Sequence, residues 1–172
     1  MAVVQDVYNA APAKGFAGQV TNGETSNRIS RTVSPADVAG IAFGQFAWDL
    51  AVASAANDHL CTLTPTANKC LGPAIANHGQ QSVLGVTGAP AGAVGADIYG
   101  PRSTAGICTE GRIYVPAAVA VAKDDDVYVT PAGLVTNVAN AGANIKATTP
   151  AGRSWKFDET TAGADLAAVV LR

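Results

Sequence analysis

Between Gly111 and Thr136 the chain passes through three short segments, Gly111-Arg-Ile-Tyr-Val115, Asp126-Val-Tyr-Val-Thr130 and Gly133-Leu-Val-Thr136. Each is rich in β-branched or aromatic residues and is set off by turn residues, which is the pattern of neighbouring short strands. Thr130-Pro-Ala-Gly133 is itself a tight-turn sequence: Pro131 presets φ and Gly133 accepts a left-handed conformation. This region constrains the fold more than any other feature, because no helical period fits through it.

The same signals recur elsewhere. Arg28 to Val33 alternates, with Ile29 and Val33 on one face and Arg28, Ser30 and Thr32 on the other. Ser34-Pro35-Ala-Asp37 breaks that strand and offers a short helical turn at Pro35. From Ile41 to Leu50, Phe46, Trp48 and Leu50 alternate with Ala47 and Asp49 and read as a strand. A helix over 47–56 competes, because Trp48, Val52 and Ala56 are spaced by four. His59–Leu63 and Val83–Thr87 are short strand candidates. Trp155–Glu159 alternates with Trp155 and Phe157 inward, and Leu166–Leu171 reads as a mostly apolar, central strand. Residues 85–102 are rich in Gly, Ala and Pro and read as a long loop. The expected fold is all-β, a small β-barrel or β-sandwich with long Gly/Ala/Pro-rich loops and an extended N-terminal arm. Residues 1–19 form the arm and residues 20–172 a single β domain; the arm shows no sustained period and is broken at Pro12 and Gly15.

Composition narrows the function. Apolar residues make up 48% of the chain but aromatics only 6%, so the core relies on small side chains that bury little area each. A partner surface is a natural source of the missing stability. The formal net charge of −2 argues against a nucleic-acid partner, which needs a basic patch. The longest uncharged run, Cys70 to Ala96, is interrupted by prolines, amides and glycines and does not read as a membrane span. Cys61, Cys70 and Cys108 form no CxxC pair, and an odd count suits reduced, buried thiols.

No constellation of residues calls for catalysis or a cofactor. The glycines at 85, 88, 92, 95 and 100 do not form a phosphate-binding fingerprint. His59, Cys61, Cys70 and His78 are the one metal-like set, but they lack the short paired spacing that zinc sites use. Asp124-Asp125-Asp126 runs straight into Val127-Tyr128-Val129, without the alternating oxygens and glycine of a calcium loop, and reads as a solvated turn. Trp48 and Trp155 lie in alternating segments and read as core rather than as a sugar platform.

The order of these segments is similar to that of a known family. Gly15-Phe-Ala-Gly-Gln19, Arg31 and Ile41-Ala-Phe-Gly44, then Val83-Leu-Gly-Val-Thr87, resemble the opening of capsid cement (head decoration) proteins of tailed bacteriophages. Glu110-Gly-Arg-Ile-Tyr-Val115, Asp125-Asp-Val-Tyr-Val-Thr130 and Gly133-Leu-Val-Thr-Asn137 resemble the later part, followed by the Trp155 strand and Leu166-Ala-Ala-Val-Val-Leu171. One departure is visible: in that family the turn before Val127 usually reads Gly-Asp, and here Asp124 stands at the glycine position. The resemblance implies a non-enzymatic structural protein without cofactors, made in the host bacterial cytoplasm and carried on the outer surface of the virion. Its implied partners are the major capsid protein and further copies of itself, as a trimer or three-fold cluster. The arm residues Val3, Val4, Val7, Tyr8, Pro12 and Phe16 are the candidate contacts with capsid or neighbouring copy. The alternative is a carbohydrate- or receptor-binding β module of a head fibre, which would need exposed aromatics in a groove.

Overall fold

A computed structural model describes residues 15–21, 26–50, 59–76, 98–140 and 143–172. Among the described residues there is no helix, and the all-β expectation holds. One five-stranded sheet has the order β5-β3-β4-β1-β7, from β1 (Asn27–Val33), β3 (Phe46–Asp49), β4 (Leu60–Thr62), β5 (Cys70–Pro73) and β7 (Thr104–Glu110). A six-stranded sheet has the order β11-β9-β10-β8-β13-β12. Its strands are β8 (Arg112–Ala117), β9 (Tyr128–Val129), β10 (Val135–Thr136), β11 (Ile145–Lys146), β12 (Trp155–Phe157) and β13 (Asp165–Leu171). A small pair joins β2 (Ile41–Ala42) to β6 (Ile98–Tyr99).

Both large sheets curl. Ala74 bridges Ile107, joining the end of β5 to β7, and Asp126 bridges Lys156, joining the approach to β9 with β12. These are single bridges rather than ladders, so the sheets pack in a sandwich-like manner and form no closed barrel.

Alternation along the strands sorts the core into two clusters. Phe46 and Trp48 of β3 face the six-stranded sheet with Cys70 and Cys108, against Ile113, Val115, Val129, Trp155, Phe157 and Val169. The rings of Phe46 and Trp155 meet edge-on, with centroids 5.7 Å apart. Ala47, between Phe46 and Trp48, points the other way, into a second cluster with Val33, Ile41, Phe43, Cys61, Tyr99 and Ile107. A strand buried on both faces explains why small residues are so frequent: β3 must pack two cores at once.

Several local readings are corrected. The segment Ser34–Asp37 is a turn, held by the Ala36 N–H on Ser34 Oγ at 3.2 Å, and no helical turn follows Pro35. Residues 46–49 are strand, as preferred over the helix. Ile98–Tyr99, inside the stretch read as loop, pairs with β2, and β5, β7 and β11 had no counterpart in the sequence reading. Val83–Thr87 lies outside the described residues.

Strand β8 shows how sequence fits its neighbours. One edge pairs with β13 along six residue pairs. On the other edge, the Tyr114 N–H donates to the Gln19 carbonyl at 3.0 Å and the Ala118 N–H to the Val135 carbonyl at 2.8 Å. Pro116 falls between these two partners and has no N–H to satisfy, so proline is tolerated in an otherwise interior strand.

Candidate interaction surface

Residues 15–21, the described end of the expected arm, are hydrogen-bonded to β8 and to the end of the five-stranded sheet. The Gly18 N–H donates to the Tyr114 carbonyl (2.8 Å), the Thr21 N–H to the Arg112 carbonyl (2.9 Å) and the Ala76 N–H to the Gly18 carbonyl (2.8 Å). Residues 18–21 thus add a short strand to β8 and bind the five-stranded sheet at the same time. Phe16 sits on the turn just before them, 41% exposed, with its N–H on Gln19 Oε1. Val3, Val4, Val7, Tyr8 and Pro12 lie outside the described residues.

Sequence reading did not single out three large apolar side chains that stand exposed on the surface, Val38, Leu134 and Val138. Val38 is 68% exposed and Leu134 is 53% exposed. Asp37 connects the first to β4: its carboxylate accepts from the Leu63 N–H (3.1 Å) and the Thr62 hydroxyl (3.2 Å). Leu63 in turn lies directly against Gly133, the neighbour of Leu134. Val138, also half-exposed, continues the same chain segment. The outward position of Leu134 beside inward Val135 was implicit in strand alternation, but Val38 lies in a turn with no period to read.

The charged residues mainly hold the six-stranded sheet together. Arg112 pairs with Asp158 at 2.7 Å and stacks over Tyr114; Arg172 bridges Asp158 and Asp124; Arg153 pairs with Glu110. Asp126 sits between Lys146 (2.8 Å) and Lys156 (3.1 Å), and Lys146 foremost holds its carboxyl below the usual range. The three consecutive aspartates therefore diverge. Asp124 meets Arg172, Asp125 accepts from the Ala122 N–H and the Asn137 amide, and Asp126 meets the two lysines. That is a structured turn, not a cation loop.

The thiols are structural. Cys61, Cys70 and Cys108 are free and buried; Cys61 belongs to one core cluster and Cys70 to the other. Burial pushes the Cys61 thiol up to about 12 and the Cys108 thiol to about 11, and raises Cys70 as well. His59 is exposed, and His78 lies outside the described residues. Among the described residues no three His, Cys, Asp or Glu side chains converge on a possible metal position. An open cleft of about 410 Å³ beside β1 and β7 is lined by Arg28, Ser30, Ile75, Tyr99, Thr104 and Gly106. Its described lining brings hydroxyls and one guanidinium together, and among those described residues there is no carboxylate, thiol or imidazole to exchange protons near neutral pH. Trp48 and Trp155 are fully buried, so neither forms a sugar platform.

Among the described residues the chain is helix-free, most of the ion pairs tie its own strands and turns together, and a few large apolar side chains stand exposed. The chain belongs to a family of phage structural proteins: the family model described as structural cement protein (E217 gp24/Pam3 gp6) matches residues 4–172. Its role is that of a capsid cement, associated with the phage capsid and so with the virion. The chain is also similar in fold to a chain in the solved capsid of Myoviridae phage XM1, with a TM-score of 0.61 at 19% identity. That similarity covers 95% of this chain and 96% of the other. No curated protein matches the sequence.

Proposed function

We propose that the protein docks on the outer surface of the assembled phage head, staples neighbouring major capsid subunits and stabilises the expanded shell against internal pressure. The observation that carries this reading is the cement family match across residues 4–172. The physics is multivalent. Each copy touches several subunits, and weak contacts add because the second is made at the high effective concentration set by the first. The arm residues Val3, Val4, Val7, Tyr8, Pro12 and Phe16, with the exposed Val38, Leu134 and Val138, supply the contacts with capsid or neighbouring copy. Copies cluster around three-fold positions as trimers, no residue acts catalytically, and synthesis takes place in the cytoplasm of the bacterial host.

The test is reconstitution. Purified protein is added to expanded heads lacking it, and bound copies per major capsid subunit and the melting temperature of the heads are measured. Near-stoichiometric binding with a raised melting temperature is expected. A handful of copies per particle, or saturation with no change in head stability, refutes the stapling role.

A further inference from the structure

Strand β1 is paired along only one of its edges over most of its length. On one side it runs against β7 from Asn27 to Thr32. On the other it meets β4 only at Thr32 and Val33. Successive residues of a strand turn their N–H and C=O groups to opposite edges. Val33 belongs to the β7 side: its N–H donates to the Ser103 carbonyl at 2.9 Å, and its carbonyl accepts from the Arg102 N–H at 2.9 Å. Thr32 belongs to the other side, where its N–H donates to the His59 carbonyl at 2.8 Å. The same alternation gives Ile29 and Arg31 to the β7 ladder and turns the N–H groups of Arg28 and Ser30 to the edge that β4 does not reach. No described residue pairs with those two groups, and both residues are exposed.

The charges around that edge are also unmatched. Arg112, Lys146, Arg153, Lys156 and Arg172, on or beside the six-stranded sheet, each pair with a carboxylate. Among the described residues Arg28 and Arg31 have no carboxylate partner. Arg28 Nε donates to Ser26 Oγ at 3.4 Å. The Arg31 guanidinium donates to the Ser30 carbonyl at 3.2 Å, and its Nε is buried without a hydrogen-bond partner. The two arginines fall on opposite faces of β1, so a cation stands on either side of the open edge. The cleft described above starts at Arg28 and Ser30. An open edge is a template for a further strand. Pairing with the same edge of a second copy would set arginine beside arginine, which opposes it. A strand that carries carboxylates satisfies the main chain and the guanidinium groups together.

We infer that the β1 edge from Asn27 to Arg31 receives an extended, carboxylate-bearing segment of a neighbouring shell protein by strand addition. Main-chain bonds to Arg28 and Ser30 hold the segment, and acidic side chains near Arg28 and Arg31 fix its register. The inference rests on the capsid docking proposed above, and it gives that docking a surface and a ligand chemistry.

Hydrogen exchange and binding to expanded heads that lack the protein test it. The Arg28 and Ser30 amides should exchange rapidly in the unbound protein and at least about tenfold more slowly on heads. Rapid exchange in both states overturns the inference. So does protection already present in the unbound protein, which would put the chain's own residues on the edge. Ser30→Pro removes an edge N–H and no ladder bond to β7, so the variant should fold, as checked by circular dichroism. It should bind heads at least about tenfold more weakly, because proline cannot donate to the added strand. Arg28→Glu should also bind about tenfold more weakly, with a deficit that shrinks as salt is raised. Lys123→Glu, the same charge change at an exposed site between β8 and β9, should bind as the parent does. Equal binding by Ser30→Pro and the parent overturns the inference and leaves the cement role standing; a parent that does not bind heads overturns both.

Discussion

Gly72 lies where β5 comes closest to β7, and replacing it with alanine provides a quantitative check on how the five-stranded sheet curls to bring its two outer strands together. Its φ of +136° is unfavourable for any L side chain, and a Cβ would sit 1.9 Å from the Cys108 carbonyl oxygen. That oxygen is backbone, and β7 is held by its ladder to β1, so it cannot yield without opening the main core. The backbone conformation costs about 1–2 kcal/mol and overpacking about 1–3 kcal/mol, together about 2–5 kcal/mol. For a chain of this size that lowers the melting temperature by roughly 5–20 °C. Two other glycines separate the contributions. Gly152 has φ +82° but open space around it, so Gly152→Ala carries the conformational part alone, about 1 kcal/mol. Gly163 has neither constraint, so Gly163→Ala should be neutral or stabilise by about 0.4–1 kcal/mol through the unfolded chain. Urea and thermal melts followed by circular dichroism rank the three. Equal melting temperatures for Gly72→Ala and Gly152→Ala would show that the close approach of β5 to β7 is wrong.

The buried thiols should resist a thiol reagent at pH 8 in the folded protein and all react in denaturant. Their raised pKa values mean that the unfolded chain loses protons first. Stability is therefore intact below about pH 8.5 and falls as pH rises toward 11, by about 1.4 kcal/mol per pH unit for each thiol ionised only when unfolded; a flat stability profile from pH 8 to 10.5 contradicts this. For Asp126 the sign is opposite: its depressed pKa gives stability above the ordinary carboxylate range that disappears as pH falls through the folded pKa. Asp126→Asn should cost roughly 1 kcal/mol at pH 7 and little at pH 2, read from urea midpoints. Trp48 and Trp155 should emit at short wavelength and resist quenching by iodide or by glycans, since both are fully buried; strong quenching by a glycan would revive the carbohydrate-binding alternative. Trp155→Ala should cost about 3–5 kcal/mol through the cavity left against Phe46, measured by calorimetry.

How legible each strand was in sequence depended on side-chain contrast. β1, β8 and β12 carry branched or aromatic residues at alternate positions, so their inward faces could be read directly, whereas β13 is apolar at both parities and was legible as a central strand without an inward face. β7, Thr104-Ala-Gly-Ile-Cys-Thr-Glu110, has the same alternation in small residues, with Ala105 and Ile107 inward, and merges with a Gly/Ala/Pro-rich stretch that hid it. β5 contains a glycine and a proline, which read as breakers. Gly72 is required by the approach to Cys108, and Pro73 ends the strand opposite Phe46. The two-residue strands β6 and β11 are too short to have a period, whereas β9 and β10, equally short, were legible because turn residues set off the longer branched and aromatic segments they lie in. The exposed Val38 was invisible for a different reason: it lies in a turn, where no period tells an outward apolar side chain from an inward one.

The departure at Asp124 shows how a resemblance can be kept while a residue is exchanged. The turn before β9 requires a left-handed residue there, and Asp124 adopts φ +70°. Asp and Asn enter that region at less cost than other side chains, so the geometry survives without glycine. The exchange also brings in a carboxylate, which meets Arg172 beside the end of β13, while Lys156 donates to the Asp124 carbonyl at 3.1 Å. The turn, the C-terminal strand and β12 are thereby joined at the point where a single bridge, Asp126 to Lys156, closes the curl of the six-stranded sheet. A glycine would be freer there but could make no such link. Asp124→Gly should therefore relieve backbone strain and remove an exposed ion pair worth up to about 1 kcal/mol, leaving stability within about 1 kcal/mol of the parent at low salt. Salt should separate the two effects: screening weakens the parent's ion pair and leaves the glycine variant untouched. The variant should gain relative to the parent as ionic strength rises, and a difference independent of salt would mean that the Arg172 contact contributes nothing to the turn.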